Sequence, residues 1–516
     1  MIHAALRTPD FKEQVSKARS RKGREHTTLW TADLDGEFWR MFPDGDVPEE
    51  AKVRISKYGV NSVHLGRLHV RDLKAFTDVD RMSNEDALGV AMAIKSEVEA
   101  MGGEMKGSGA ATAFNLWRER FNAGKPWRNV NIETPDLDWY RNAYFGGRTQ
   151  CYLHGVVHRA GHRPGRLIRR LNAPSFALEP GKTLVRIDMN SAFPAVARMP
   201  MPYIWGNYVD EFDLSVRCGI ATATIRVGDG VRILPLRVDH DEEVKTGYPT
   251  AGSLVRGTWT YPMIREAIKN GATVQQVHKA RSFCLEYRPL YKFMNCIYDR
   301  QSKTAPGPAR NAIKEFGRRL YGKFGSSRWS LDLKPFSEAF NPYIDEDGLL
   351  RMPELPTAMV GTRCFVRERM LEFPVTANPI WAALISDRVS ISLARVQTLL
   401  NEAACNVFYV DTDSALFACP TKDGKPVLPE SIRERIGGEL GQWKIDWVGD
   451  HVTLMGSKSY ILQGESPKMS GIPKEISADL VRHGTASYTQ NRTLLNKPRT
   501  IIFNMRGGRI TQKGIQ

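Results

Sequence analysis

Apolar residues recur at helical spacing from Glu85 to Met101, Tyr261 to Asn270, Ala309 to Leu320 and Ala377 to Glu402, and this pattern predicts a helix at each. Short apolar, β-branched runs bounded by turn formers predict strands at Leu184 to Ile187, Ala221 to Val227 and Asn406 to Val410. Pro and Gly clusters near 122–137, 161–166, 304–308 and 420–428 predict breaks between elements. The elements do not alternate as regular βαβ units, so the expected class is α+β. No internal repeat and no low-complexity tract is visible.

Composition narrows the picture. The 516 residues leave room for about three domains, and 42% hydrophobic with 25% charged residues excludes wholesale disorder. No apolar run approaches the ~18 residues of a membrane span. The first 24 residues lack the apolar core of a secretory signal. The seven Cys are odd in number, widely spaced and free of CxxC pairs. That argues against a disulfide framework or zinc site and for a reducing cytoplasm. Lys plus Arg is 73 against 57 acids, a net +16, which points to a polyanionic partner such as nucleic acid. The excess is concentrated. Residues 1–27 hold seven basic residues against three acids, 156–171 hold five Arg and no acid, and 482–516 hold seven basic residues and no acid. Such segments suit a track for phosphates.

Candidate chemistry sits at two acidic strand ends. Thr183-Leu-Val-Arg-Ile-Asp188 is a β-like run ending in an acid, and Asn406-Val-Phe-Tyr-Val-Asp-Thr-Asp-Ser414 is a second carrying two. In an extended chain Asp411 and Asp413 face the same way. Pairing that edge with Asp188 would gather carboxylates that hard cations, Mg²⁺ or Mn²⁺, neutralise. A lone DxD is more often a turn; the surrounding sequence changes the reading.

Tyr409-Val-Asp-Thr-Asp-Ser414 resembles the YxDTDS motif of family B DNA polymerases, and Asp188-Met-Asn-Ser-Ala-Phe-Pro194 resembles their DxxSLYP motif. Lys314, with Tyr321-Gly322 seven residues on, resembles KxxxNSxYG. Lys458-Ser-Tyr460 resembles KxY, Glu439-Leu-Gly-Gln-Trp443 the LGxW segment, and Tyr144-Phe-Gly-Gly147 the YxGG motif. The motifs stand in the family's order over about residues 141–470, and YxGG just ahead of the first acidic motif is most similar to the protein-primed subgroup of phages and linear plasmids. The resemblance implies a right-hand polymerase with palm, fingers and thumb, in a phage or plasmid host cell. It would extend primer DNA along template DNA from deoxynucleoside triphosphates, with two Mg²⁺ or Mn²⁺ ions.

The same resemblance implies site roles. Asp188 and Asp413 are metal ligands, Asp411 assists catalysis, and the Met189 carbonyl faces a metal. Lys314 grips the triphosphate, and helical spacing, rather than the motif, puts Arg310 one turn earlier on the same face, placed to grip it too. Phe193 stands at the family's sugar-gating Tyr; Tyr321 packs on the nascent base pair and Gly322 lets the backbone approach it. Tyr144, Gly146 and Gly147 form a tight turn on the template. Lys458 and Tyr460 alternate on a β-like run from Ser457 to Leu462 and face the primer end. The family's Asn-Ser pair falls here on Arg318 and Arg319, two extra cations that bear on triphosphate binding or fidelity, or face solvent or template.

The implied layout is a reduced RNase-H-like exonuclease-type domain at 1–140, palm at 141–244 and 375–481, and fingers at 298–325. An insert for a terminal priming protein falls at 245–297, a hairpin insert at 326–374 with its turn at 345–348, and the thumb at 482–516. Asp33 and Asp35 resemble the first exonuclease motif and Asp86 the third. The central motif is not evident and the spacing is short, so weak or absent proofreading is expected. Two other readings use the same residues: a primer-independent or translesion polymerase of a mobile element, and a catalytically inactive nucleic-acid-binding scaffold. The intact Asp188, Asp411, Asp413 and Lys314 argue against the scaffold. Thr412 between the acids argues against a reverse transcriptase, whose hallmark is YxDD.

Overall fold

A computed structural model of the chain describes residues 51–56, 59–65, 68–69, 84–104, 109–123, 134–161, 173–203, 208–240, 243–326, 329–335, 343–344, 350–351, 358–360, 363–369, 373–374, 376–470, 472, 474–490, 499–506 and 509–515. The basic segment 1–27, most of 156–171, and Asp33 and Asp35 lie outside the described residues.

The central sheet has the order Trp443–Gly449, Lys182–Met189, Ser414–Lys422, Val407–Asp411, Thr149–Cys151, and every pairing in it is antiparallel. Side-chain alternation divides its residues between two faces. Val185, Ile187, Phe417 and Cys419 join the largest apolar cluster with the helices. Leu184, Leu416 and Trp447 pack on the other side, against Val452, Leu454 and Leu462. Those residues belong to a second sheet ordered Ser459–Leu462, His451–Gly456, Gly155–His158, Ser175–Ala177. The mixed helix-and-sheet architecture matches the α+β expectation.

Each helix and strand expected from periodicity forms: Asn84–Ala100, Tyr261–Lys269, Pro308–Phe324, Pro379–Glu402, Lys182–Met189, Cys218–Arg226 and Val407–Asp411. Pro379–Glu402 opens with Pro at its first turn, and the Asn378 side chain accepts a hydrogen bond from the Trp381 amide. The helix is apolar on most faces, as a helix running through a core must be. Its Trp381, Leu384 and Ile385 serve the main cluster, and its Ile391 and Ala394 serve a second one beneath the sheet that contains Cys218–Arg226. Residues 245–297 contribute the strands Leu254–Thr260 and Thr273–Phe283 to that sheet, with Cys218–Arg226 between them.

Pro308–Phe324 also has Pro at its start. Ala312, Ile313, Phe316, Leu320 and Phe324 make its buried stripe, while Arg310, Lys314 and Arg318, four residues apart, are less buried. Phe324 meets Trp117 at 5.4 Å and Trp381 at 5.3 Å between ring centroids, both edge-to-face, an arrangement favoured by the ring quadrupoles. Ile94 and Val98 of Asn84–Ala100 and Phe114 of Gly109–Leu116 belong to the same cluster. Asn84–Ala100, Gly109–Leu116 and Trp117 therefore share their core with the Pro308–Phe324 helix. In the stretch 326–374, Trp329–Pro335 pairs with Arg363–Arg369, and Tyr343–Ile344 pairs with Leu350–Arg351, while the turn expected at 345–348 lies outside the described residues. The C-terminal basic tail contributes a three-stranded antiparallel sheet, Thr485–Gln490, Arg499–Arg506 and Arg509–Ile515. Among the described residues no helix is long and apolar enough to cross a membrane.

A carboxyl lies deep in this frame. Asp387, 2% exposed, accepts a 2.6 Å hydrogen bond from Thr260 Oγ1. Burial pushes its carboxyl up to about 7, against the Thr260 bond and the Arg388 charge. The unfolded carboxyl titrates near 4, so between about pH 4 and 7 the folded chain holds a proton that the unfolded chain releases. Stability from this group is full at the acid end of that window and is lost as pH rises through it. Asp387→Asn keeps an oxygen acceptor for Thr260 and removes the titration. Thermal melts at pH 5 and pH 8 are expected to differ less for Asp387→Asn than for the wild type.

Candidate active site

Asp188 is the penultimate residue of its strand, opposite Ser414 on one neighbour and Lys444 on the other. Val407–Asp411 and Ser414–Lys422 are joined by two residues, Thr412 and Asp413, with Asp411 paired to Ser414. The chain reverses here, and Thr412 has φ +58°. This corrects the expectation of an extended edge with both acids facing one way. Asp413 lies close enough to Asp188 for their charges to repel. Asp411 has other partners: Lys458 Nζ at 2.6 Å, Thr149 Oγ1 at 3.0 Å and Thr412 Oγ1 at 3.1 Å.

A left-handed Thr is costly, and its surroundings fix it. Its amide donates to the Arg148 carbonyl at 2.6 Å, and the Met189 amide donates to the Asp413 carbonyl at 2.8 Å. A Cβ on Gly147 would come within 2.5 Å of Thr412 Oγ1, so glycine is required for this approach. The second glycine of Tyr144-Phe-Gly-Gly147 thus serves the acidic turn. Gly146 is exposed and open, and the Tyr144 ring packs against Gly325 at the end of the Pro308–Phe324 helix.

The electrostatics follow from this geometry. Burial raises the Asp188 carboxyl; Lys444, with Nζ 3.5 Å from Oδ1, opposes that, and Asp446 adds to it. Burial, and then the Asp188 charge, push Asp413 up to about 6, while Arg318 opposes the rise. Lys314 is lowered by burial first, then by Arg318 and Lys444.

Asp188 and Asp413 border an open cleft of about 490 Å³ lined also by Asp411, Phe193, Tyr321, Arg318 and Arg319 together with Lys458 and Tyr460; Lys314, Arg310 and Lys444 are not among its lining residues. Arg318 and Arg319 both pair with Glu315, at 3.4 and 3.2 Å. The Phe193 and Tyr321 rings stack in parallel, 4.4 Å between centroids. Gly322 is exposed, with open space where a Cβ would sit. Arg310 is half-buried on the same helical stripe as Lys314. Asp86 lies in the first turn of Asn84–Ala100.

Lys458 does not lie on the strand with Tyr460, as alternation suggested. It sits in the turn before Ser459–Leu462 with φ +55°, and its amide donates to Tyr409 OH at 2.8 Å. Both residues still reach the cleft. Three contributors escaped the sequence reading: Arg186, Lys444 and Asp446. Arg186 is 7% exposed, hydrogen-bonded to Asp446 and, at 3.2 Å, to Tyr460 OH. Its place two residues before Asp188, on the same strand face, was the available signal.

Among the described residues no group of three or more His, Cys, Asp or Glu side chains is gathered to hold a metal. The donor chemistry still fits a hard divalent cation. Asp188 and Asp413 offer oxygen only, are partly desolvated and repel each other, which a cation between them would relieve.

The fold is shared with DNA polymerases of known structure. Among the similar structures are those of Phi29 DNA polymerase. The complex with primer-template DNA and incoming nucleotide aligns with TM-score 0.59 at 12% identity, over 99% of this chain and 89% of that one. The post-translocation binary complex with primer-template DNA aligns with TM-score 0.53 at 14% identity, over 84% of this chain and 70% of that one. No family model and no curated protein matches the sequence.

Gly147→Ala is expected to force Thr412 aside and destabilise the chain by about 1–3 kcal/mol. Combining it with Thr412→Gly, which removes both the clash and the left-handed strain, is expected to recover most of the loss. Chemical denaturation of the two single variants and the double variant reads the coupling.

Proposed function

We propose that the chain is a DNA-templated DNA polymerase of the family B type, akin to the protein-primed subgroup. One observation carries this reading: Asp188 and Asp413 meet at a cleft walled by Phe193, Tyr321 and Arg318, each from the motif that the polymerase resemblance assigned to it. The likeness in fold to Phi29 DNA polymerase supports it.

In this reading Asp188 and Asp413 hold two divalent cations. When bound, these activate the attacking oxygen and stabilise the leaving one. The primer 3′-oxygen attacks the α-phosphorus of the deoxynucleotide. A new P–O bond forms, the bond to the bridging oxygen of the β-phosphate breaks, and pyrophosphate leaves while the hydroxyl proton passes to solvent. Lys314 and Arg310, with Arg318 on the same stripe, meet the triphosphate. The Phe193 ring, backed by Tyr321, limits space at the sugar 2′ position. Lys458 and Tyr460 hold the primer end, and Asp411 orients the Lys458 ammonium. Template DNA runs past Tyr144 and Gly146. Residues 245–297 meet a terminal priming protein, 326–374 form a hairpin insert, and 482–516 act as the thumb. Residues 1–140 carry weak or no proofreading.

Primer extension from a labelled 3′-mismatch tests both halves of the reading. The expected product is Mg²⁺-dependent elongation of a matched primer, with the mismatched end retained rather than excised. Asp413→Ala is expected to lower incorporation by at least about 10³-fold, the scale of losing an electrostatic element that acts in the transition state. Retained incorporation in Asp413→Ala sinks the polymerase assignment; excision before extension sinks the claim about proofreading.

A further inference from the structure

We propose that Lys444 is a built-in counter-ion of Asp188 that competes with the divalent cation for that carboxylate, and so sets how tightly the site loads metal. The inference rests on the polymerase reading for the identity of the site. Its grounds are the geometry of two adjacent strands.

Lys444 and Asp188 stand directly opposite each other across an antiparallel pairing, so their side chains rise from the same sheet face. Lys444 Nζ lies 3.5 Å from Asp188 Oδ1, and among the described residues Lys444 is the ion-pair partner of Asp188. The other charges near Asp188 do not replace it. Asp446, two residues along the same strand, is engaged by Arg186 through two nitrogens. Asp413 is a like charge from the turn. Lys314, from the Pro308–Phe324 helix, is near but forms no ion pair with Asp188 among the described residues. Arg318 acts on Asp413 and pairs with Glu315.

An ammonium and a divalent cation seek the same carboxylate lone pairs. The Lys444 side chain is 46% exposed on a flexible stem, so it can leave without breaking packing. Metal entry then requires the release of that ion pair and leaves a unit positive charge close by. Since an exposed pair is weak, the penalty is modest and salt-dependent. The sequence reading passed over Lys444 because it follows the LGxW-like segment and belongs to none of the motifs.

The test is a Mn²⁺ titration followed by electron paramagnetic resonance, with no DNA or nucleotide present. Wild type, Lys444→Met, Lys444→Arg and Asp413→Asn are compared, and thermal melts check the fold of each. Lys444→Met is expected to bind Mn²⁺ roughly three- to tenfold more tightly than wild type. Lys444→Arg is expected to stay near wild type, and the gap between wild type and Lys444→Met to narrow in about 0.5 M KCl. Mn²⁺ affinity in Lys444→Met that equals or falls below wild type overturns the proposal while leaving the polymerase reading standing. Absence of any Mn²⁺ binding that Asp413→Asn removes overturns both.

Discussion

Repulsion between Asp188 and Asp413 is the condition that the rest of the site answers. Two carboxylates in one half-buried space cost free energy unless positive charge is close, because a partly desolvated interior screens them poorly. The chain supplies that charge from several directions. Lys444 faces Asp188 across the sheet, Arg318 reaches the Asp413 side from a helix, and Lys458 holds Asp411. Arg186 holds Asp446 beside them. Much of the chain's basic excess is spread over long segments, but these few cations are placed singly, each against a particular acid.

The turn carrying Asp413 is held from a distance. The Arg148 carbonyl and the bare Cα of Gly147 come from a segment far upstream, and Met189 comes from the opposite strand. A left-handed Thr412 persists because these contacts over-determine it. The Tyr144 ring on Gly325 then ties the same upstream segment to the base of the Pro308–Phe324 helix. The acidic turn and the basic helix are thus braced through one short stretch, residues 144–149.

What was legible in the sequence, and what was not, divides along physical lines. The helices Tyr261–Lys269 and Pro379–Glu402 were readable because burial imposes periodicity. The Asp188 and Asp413 pairing was readable because two β-like runs ended in acids in a known order. The left turn at Thr412 was not, since nothing local demands it; its causes, Gly147 and Arg148, lie hundreds of residues away in sequence. Lys458 was put on a strand running from Ser457 by alternation, yet it has positive φ and the strand starts at Ser459. Lys444 and Asp446 act only through cross-strand register, which no single segment encodes, whereas Arg186 was signalled by its place two residues before Asp188 on one strand. The YxGG-like glycines were read as serving a template, whereas within the chain Gly147 makes room for Thr412.

The edge-to-face cluster of Trp117, Phe324 and Trp381 joins three distant parts of the chain around one point. It makes the modular picture of the molecule misleading. A cut that removed the chain through Trp117 would unroof the helix that carries Arg310, Lys314 and Arg318 and strip Phe114 and Trp117 from its aromatic foot at Phe324. Trimming or swapping parts must therefore keep Asn84–Ala100 and Gly109–Leu116 with the helix they cover, whatever activity the preceding residues hold.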